Sequence, residues 1–297
     1  MTCDLPLPLP QSVPFAKTCT ALGLPVRHHK QQCAGRVTLS WQVQSRTLPL
    51  LGRIDLISRG PVSQDPQHSI DWLWRWQRWH DGRPLVLNAE NLSATVLRGA
   101  GFWPVMTPAS LAILPLRDEQ AMRAALAQKW RNRLNRALAQ GVSISRHDLK
   151  SGHWILQAER QQARAKRYRG LPPEFCAAYA RVNPGHAAVF EARRNGAPVA
   201  AAAFLRHGAM ATWQMGYSSP AGRRCNAMNA LLWRAALWLK EQGHSLLDLG
   251  TLNAQDAPGL THFKRGTGAQ IRTLSGTWLH MGSLAPLARR LPIRFAA

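Results

Sequence analysis

Lys264 stands in Leu-Thr-His-Phe-Lys-Arg-Gly-Thr-Gly-Ala (260–269), where a short helical run meets a Gly-x-Gly turn. Arginine supplies most of the positive charge of this chain, so an ammonium at this spot asks for a specific reason. Such a group can be a solvated surface cation, complement the carbonyl end of a helix, or stabilise negative charge that develops in a shielded cleft. An internal comparison separates these roles. The stretch "TVLRGAGF" (95–102) sets Arg98, Gly99 and Gly101 against Arg265, Gly266 and Gly268 of "HFKRGTGA" (262–269). The shared residues suit a helix ending: a cation near the carbonyl end and a glycine for the turn. What differs is Leu97 against Lys264, and Val96 against Phe263. A place that one copy fills with leucine is costly for a charge unless a cavity or an anionic group receives it. The contrast predicts that Lys264 is buried and has work to do, with Gly-x-Gly letting the backbone pass close to a substrate.

Other residues carry candidate chemistry, each beside a plainer role. Asp248 lies in the apolar strand "LLDLG", as an amine-directed base or as the cap of a neighbouring loop. Trp213, Met215 and Tyr217 alternate along "TWQMGYSS" and are expected to share one face, with Tyr217 binding substrate or relaying a proton if it is not core. Arg223, Arg224 and Asn226 precede a helix whose free N–H groups suit a donor phosphate. Lys129, Arg133 and Arg136 gather on one flank of a helix, to hold a phosphate or simply to meet water. The cluster "RAKRYRG" reaching Arg169 could bind RNA with Tyr168 as a stacking surface, or decorate a helix C-terminus. Trp72, Trp76 and Trp79 recur on one helix face, as core or as a peripheral membrane contact.

These residues need elements to hold them, and one order of elements occurs twice. The first copy reads as strands at 36–43 and 50–58, a helix from Asp71 to Gly82, a strand at 84–91, a small helix at 92–98 and closing strand-like residues through "ASLAIL". The second copy reads as strands at 187–193, 197–205 and 210–218, a helix at 226–243 and a strand at 245–253. The small helix of Lys264 follows, and "AQIRTLSGTWLH" closes the copy. Between them lies a helix with Met122, Leu126, Trp130, Leu134 and Leu138 as its apolar stripe, and a second helix over 152–169. The expected fold class is α/β, an α+β mixed sheet in each of two tandem domains, residues 1–118 and 119–297, the later one catalytic.

The totals bound the function. In 297 residues, 38 Lys+Arg against 15 Asp+Glu give a net charge of +23, which calls for an anionic partner such as RNA, a phosphorylated metabolite or an acidic membrane face. Five dispersed cysteines without a CxxC point to a reducing compartment, no disulfide framework and no metal. Neither a signal peptide nor an apolar run long enough to span a bilayer is present, so a cytoplasmic location is expected.

The runs "PGLTHFKRGTGA", "KWRNRLNRALAQGV", "LLDLGTLN", "PLLGRIDLISRGPV" and "LPQSVPF" resemble, in order, motifs of the FemABX-like branch of the GNAT acyltransferases. The resemblance spans about Leu9 to Ala269 and implies two tandem GNAT-like domains. It also implies that Phe263 and Lys264 lie beside the reacting carbonyl, Lys264 steadying the oxyanion as an amine attacks. No tightly bound cofactor is implied. The co-substrate is acyl-CoA or an aminoacyl-tRNA, the acceptor an amine, of a cell-wall precursor in the family's best-known cases. In "SPAGRRCNAMNALLW" no second glycine follows Gly222 at the spacing of the usual CoA loop, which leaves the donor open. The competing expectation is a decayed pair that binds RNA or another polyanion without chemistry.

Overall fold

The computed structural model describes residues 5–49, 52–76, 80–168 and 170–290. Two compact units result, one formed by the chain up to Ser110 together with the stretch from Thr273 onward, the other by Leu111–Arg272.

The first unit opens with helix α1 (Val13–Ala21), started by Ser12, whose hydroxyl accepts from Phe15 N. Strands β1 (Val26–Cys33), β2 (Arg36–Leu48), β3 (Gly52–Ser58) and the short β4 (Val62–Ser63) follow. Next come α2 (Pro66–Arg75), β5 (Leu85–Asn88), α3 (Ala94–Gly99) and β6 (Trp103–Met106). The sheet order is β1-β2-β3-β5, then a strand from the far end of the chain, then β6. Its core gathers Leu39, Trp41, Ile57, Trp72, Leu73, Trp76, Leu87, Leu97 and Phe102. Trp72 and Trp76 are thus core residues, which removes them as a membrane belt; Trp79 lies outside the described residues.

The second unit holds β7 (Ser110–Pro115), α4 (Glu119–Ala125), α5 (Gln128–Ala139), β8 (Ser143–Asp148), α6 (Trp154–Lys166) and α7 (Pro173–Val182). It continues with β9 (Ala187–Arg194), β10 (Ala197–His207), β11 (Met210–Ser218), α8 (Pro220–Arg224), α9 (Ala227–Glu241), β12 (Leu246–Leu252), α10 (Pro258–Arg265) and β13 (Gln270–Thr273). The last described elements, β14 (Thr277–His280) and α11 (Ala285–Arg290), belong to the first unit. The second sheet runs β13-β7-β12-β11-β10-β9-β8. Its alanine run, Ala200–Ala203 of β10, is fully buried and lets helices approach both faces of the strand closely.

The repeated order is real, but its ends are exchanged. In the first sheet β14 lies between β5 and β6; in the second, β7 lies between β12 and β13. A division at 118/119 therefore places β7 and β14 in the wrong units. "AQIRTLSGTWLH" does not close one copy: its β13 half pairs in the second sheet and its β14 half in the first. Local pattern marks a strand, while its neighbour is set by long-range hydrogen bonding that no window of sequence contains.

Two further expectations are corrected. The single helix expected here is split where Leu126 and Ala127 adopt extended backbone; Met122, Leu126, Trp130 and Leu134 of its stripe share one core, but Leu138 is 50% exposed and Ala137 is buried in its stead. A spacing of four drifts around a helix of 3.6 residues per turn, so the buried row continues at Trp130, Leu134 and Ala137 instead. The helix expected over 152–169 ends at Lys166, where Arg167 turns left-handed at φ 54°, and a separate α7 follows.

Candidate active site

The site is built where two strands part. β11 and β12 run parallel and are registered only at Met210↔Leu246, Ala211↔Leu247 and Thr212↔Asp248, although β11 continues to Ser218 and β12 to Leu252. Beyond Thr212 and Asp248 the strands fork. The matching strands of the first unit, β3 and β5, stay registered to the last residue of β5, Asn88, so they form no fork. Only the later copy opens its sheet.

A β-bulge sits at the root of the fork. β10 pairs Phe204 with Trp213 and Ala203 with Met215, which leaves Gln214 as an extra residue on β11. One extra residue reverses the alternation of side chains and bends the strand. Trp213 therefore packs on the α5/α9 core face with Phe263, whereas Tyr217 meets Trp154 of α6 at 5.8 Å. The single face expected for Trp213, Met215 and Tyr217 is thus divided by Gln214, a residue whose sequence gives no sign of a bulge. The Trp213 indole folds back along its own strand, donating from Nε1 to Met215 O at 2.8 Å.

Lys264 reaches into this fork from α10. It is 7% exposed, and its Nζ donates to Thr251 O of β12 at 2.8 Å. The Trp213 ring centroid is 6.0 Å from Nζ on the β11 side. A carbon added at Gly250 would lie 3.5 Å from the same nitrogen. Phe263 packs at a tilt between Trp130 (5.8 Å) and Trp213 (5.9 Å), which fixes the last turn of α10. Leu97 of the first unit is fully buried, so the two copies do bury the same position, one with leucine and one with an ammonium. Thr251 O is the one hydrogen-bond acceptor of Nζ among the described residues, so two of its three protons are left for a ligand. Burial pulls the Lys264 pKa down to about 8, against a smaller upward pull from the Asp248 carboxylate.

Asp248 is 1% exposed. Its Oδ1 accepts from Gly250 N at 2.7 Å and so holds the stretch of β12 in which Gly250 takes φ +81°. The bond is local to β12, and the carboxylate lies near enough to Lys264 to favour its protonated form.

The Gly-x-Gly turn serves packing rather than a passage for substrate. A Cβ at Gly266 would lie 2.8 Å from Trp130, and one at Gly268, where φ is +83°, would lie 2.8 Å from Ala125 Cβ and 2.9 Å from Ala125 O. Both glycines let α10 close against α4 and α5.

The remaining candidates do not join this cluster. Arg223 and Arg224 are exposed on α8, and Arg223 Nη1 donates to Ser218 O at 2.6 Å. Asn226 is half-buried and left-handed (φ 53°), and its side chain makes no capping bond to α9. Gly222 N is taken by Ser219 Oγ at 3.1 Å. Lys129, Arg133 and Arg136 are all exposed on α5. Tyr168 donates its hydroxyl to Glu159 of α6 at 2.6 Å, and Arg169 lies outside the described residues. A cavity of about 380 Å³ opens between the first turns of α6 and α7, lined by His153, Trp154, Arg160 and Glu174. Tyr217 approaches that cavity through Trp154 rather than Lys264.

Sequence reading missed two features here. The alternation that marks Trp213 gives no sign that its ring lies over the ammonium. In the first unit, Asp55, His80 and Asp81 come within reach of a common cation. The Asp55 carboxylate, however, already accepts from Ser45 Oγ and Arg27 Nη2.

Trp213→Ala is expected to admit water to Nζ and raise the Lys264 titration from about 8 back toward 10.5, read by NMR of labelled lysine. An unmoved titration would show that the indole does not shield the group.

Residues 111–265 match the family described as "Acetyltransferase (GNAT) domain". The crystal structure of FemX superposes with a TM-score of 0.75 at 14% identity, covering 94% of this chain and 93% of that one. The C-terminal domain (DUF2156) of a putative lysylphosphatidylglycerol synthetase from Agrobacterium fabrum superposes at 0.56 with 17% identity, covering 94% and 91%. L-PGS from Bacillus licheniformis superposes at 0.50 with 14% identity, covering 86% and 83%. At such identities these likenesses are of fold. No curated protein matches in sequence. No helix among the described residues is long and apolar enough to cross a membrane. With its matched segment spanning more than half of the 297 residues and containing the forked strands and Lys264, the chain belongs to the GNAT acetyltransferase-domain family and is an acyltransferase with the fold of FemX.

Proposed function

We propose that the protein transfers an aminoacyl group from the ester of an aminoacyl-tRNA to a primary amine, with the Lys264 ammonium as the oxyanion stabiliser. The observation that carries this reading is a buried ammonium in the β11/β12 fork with protons unspent on the protein. The acceptor nitrogen attacks the ester carbonyl carbon, and the carbonyl oxygen gains negative charge beside Nζ. The C–O bond then breaks, the ribose hydroxyl leaves, and the proton lost by the amine restores that hydroxyl. A preorganised cation in a site shielded from water lowers this barrier more than the same cation would in bulk solvent. Asp248 acts as a positioning residue: it holds β12 at Gly250 and supports the charge on Lys264.

The ester donor is favoured over a CoA thioester by two observations. Ser219 occupies the Gly222 N–H at the start of α8, and Gly222 is spent on packing rather than on a phosphate cradle. The net charge of +23 suits a polyanionic donor. Similarity in fold to FemX and to lysylphosphatidylglycerol synthetase domains supports amine-bearing or lipid-linked acceptors in general, a cell-wall precursor among them.

The test compares labelled aminoacyl-tRNA with labelled acetyl-CoA, each supplied with amine acceptors that include a peptidoglycan precursor. Transfer from the tRNA ester that weakens steeply with salt is expected. Transfer from acetyl-CoA alone overturns the donor; salt-dependent RNA binding without transfer from either overturns the chemistry. Rate should fall as pH rises through about 8, where Lys264 loses its proton, after an ascending limb set by the acceptor amine. A profile that only rises would mean that neutral Lys264 acts as a base.

A further inference from the structure

The C-terminal helix of the first unit is built inside out. α11 turns Ala285 (4% exposed) and Ala288 (1%) inward, while Leu284 (39%) and Leu287 (54%), also three residues apart, face outward. An amphipathic helix packing for stability alone buries its larger apolar side chains. Ala285 is held close because Gly101 carries no side chain: a Cβ there would lie 2.7 Å from Ala285 Cβ. Beside it, Trp103 Nε1 donates to Leu284 O at 3.1 Å, which ties α11 to β6. On the other side of the same turn, Trp74 of α2 leans over Gly99 and remains 56% exposed. Edge strand β6 adds Val105 and Met106, exposed by 56% and 66%. The buried Gly101–Ala285 contact thus joins the elements that carry the exposed apolar side chains Trp74, Leu284 and Leu287.

Charge decides what can cover it. From Thr273 onward the sequence carries Arg289, Arg290 and Arg294 and no acidic residue, in a chain of net charge +23. Arg289 and Arg290 are exposed in the last turn of α11. Arg75, next to Trp74, is paired with Asp71 and adds little net charge. Leucine and tryptophan flanked by arginine suit the boundary between acyl chains and anionic headgroups. Nucleic acid would use the arginines but leave the leucines without a partner.

We infer that the face formed by α11, Trp74 and β6 docks on an anionic lipid surface, the leucines and Trp74 entering the headgroup boundary and Arg289 and Arg290 meeting lipid phosphates. This contact uses residues of the first unit and does not depend on which donor is used.

Co-sedimentation with phosphatidylcholine vesicles, with and without phosphatidylglycerol, tests it on the full chain. The wild type is expected to partition to the phosphatidylglycerol vesicles and to be released by salt. Leu284→Ser/Leu287→Ser should lower the partition coefficient roughly tenfold or more with an unchanged melting temperature, since both side chains are exposed. Arg289→Gln/Arg290→Gln should remove the preference for phosphatidylglycerol. Wild-type protein that stays in the supernatant overturns the proposal, as does a leucine variant that binds like wild type. A wild-type dimer that the leucine variant converts to monomer in analytical ultracentrifugation also overturns it, because the face would then belong to a second copy.

Discussion

Lys264→Met is expected to lower acyl transfer by about 10²–10³-fold while leaving the protein as stable as before or more stable. The two effects have one cause. The ammonium is held at 7% exposure with Thr251 O as its acceptor, so the fold bears a desolvation cost that it recovers only when an oxyanion forms. Methionine has nearly the same length without the charge, and Thr251 is exposed enough for water to satisfy its carbonyl. The cost follows from the titration. Lowering the pKa from 10.5 to about 8 corresponds to on the order of 2–3 kcal/mol, with some allowance for solvent screening. Its sign is opposite to that of a lysine gaining a partner. Below about pH 8 both folded and unfolded chains carry the proton and the penalty is present in full. Between about 8 and 10.5 the unfolded chain binds a proton that the folded chain has released, so stability rises with pH and the penalty is relieved. Wild type should therefore gain on the methionine variant across that window in denaturant titrations, and the descending limb of the rate profile should be absent from the variant's residual activity. Full turnover by a folded Lys264→Met protein would end the mechanism.

Gly222→Ala is expected to destabilise the second unit by about 3 kcal/mol, an overpacking cost at the upper end of the usual range. The added carbon would sit 2.3 Å from Val199 O and 3.0 Å from Val199 C. These are backbone atoms of a buried residue of strand β10, and Val199 O is already engaged by Ser219 N at 2.9 Å. No side-chain rotation relieves such a contact, so either α8 or the strand must move. A fall in melting temperature of roughly 6–12 °C follows for a unit of this size. Activity measured well below the lowered transition should be retained with the donor KM little changed, and should be lost only as that transition is approached. A normal melting temperature combined with a raised donor KM would instead place Gly222 against the donor and reopen the phosphate-loop reading.

Much of the fold is legible in the residues because it depends on local physics. Periodicity marks α9 and the buried strands β10 and β12 to within a few residues, and the duplication is visible as a repeated order ending in Arg-Gly-x-Gly. The burial of Lys264 is legible for a related reason: Leu97 reports what kind of place its counterpart occupies. The glycines are legible as necessary but not as to purpose, since Gly266 and Gly268 answer to Trp130 and Ala125, which are distant in sequence. The spread of basic candidates over Lys129, Arg133, Arg136, Arg223 and Arg224 shows the same limit, because a cation's type and spacing do not say whether it faces water.

Composition, periodicity and the comparison of the two halves were enough to determine a mixed α/β duplication and one anomalous ammonium, since these follow from side-chain hydrophobicity and from backbone preferences that act over a few residues. Tertiary structure alone decided that β7 and β14 change sheets, that Gln214 bulges and turns Trp213 away from Tyr217, and that β11 and β12 part beyond Thr212 and Asp248. Each of these is settled by which backbone groups find partners across the sheet. That choice is made by the whole chain at once, and the opening it leaves beside Lys264 exists only where pairing stops.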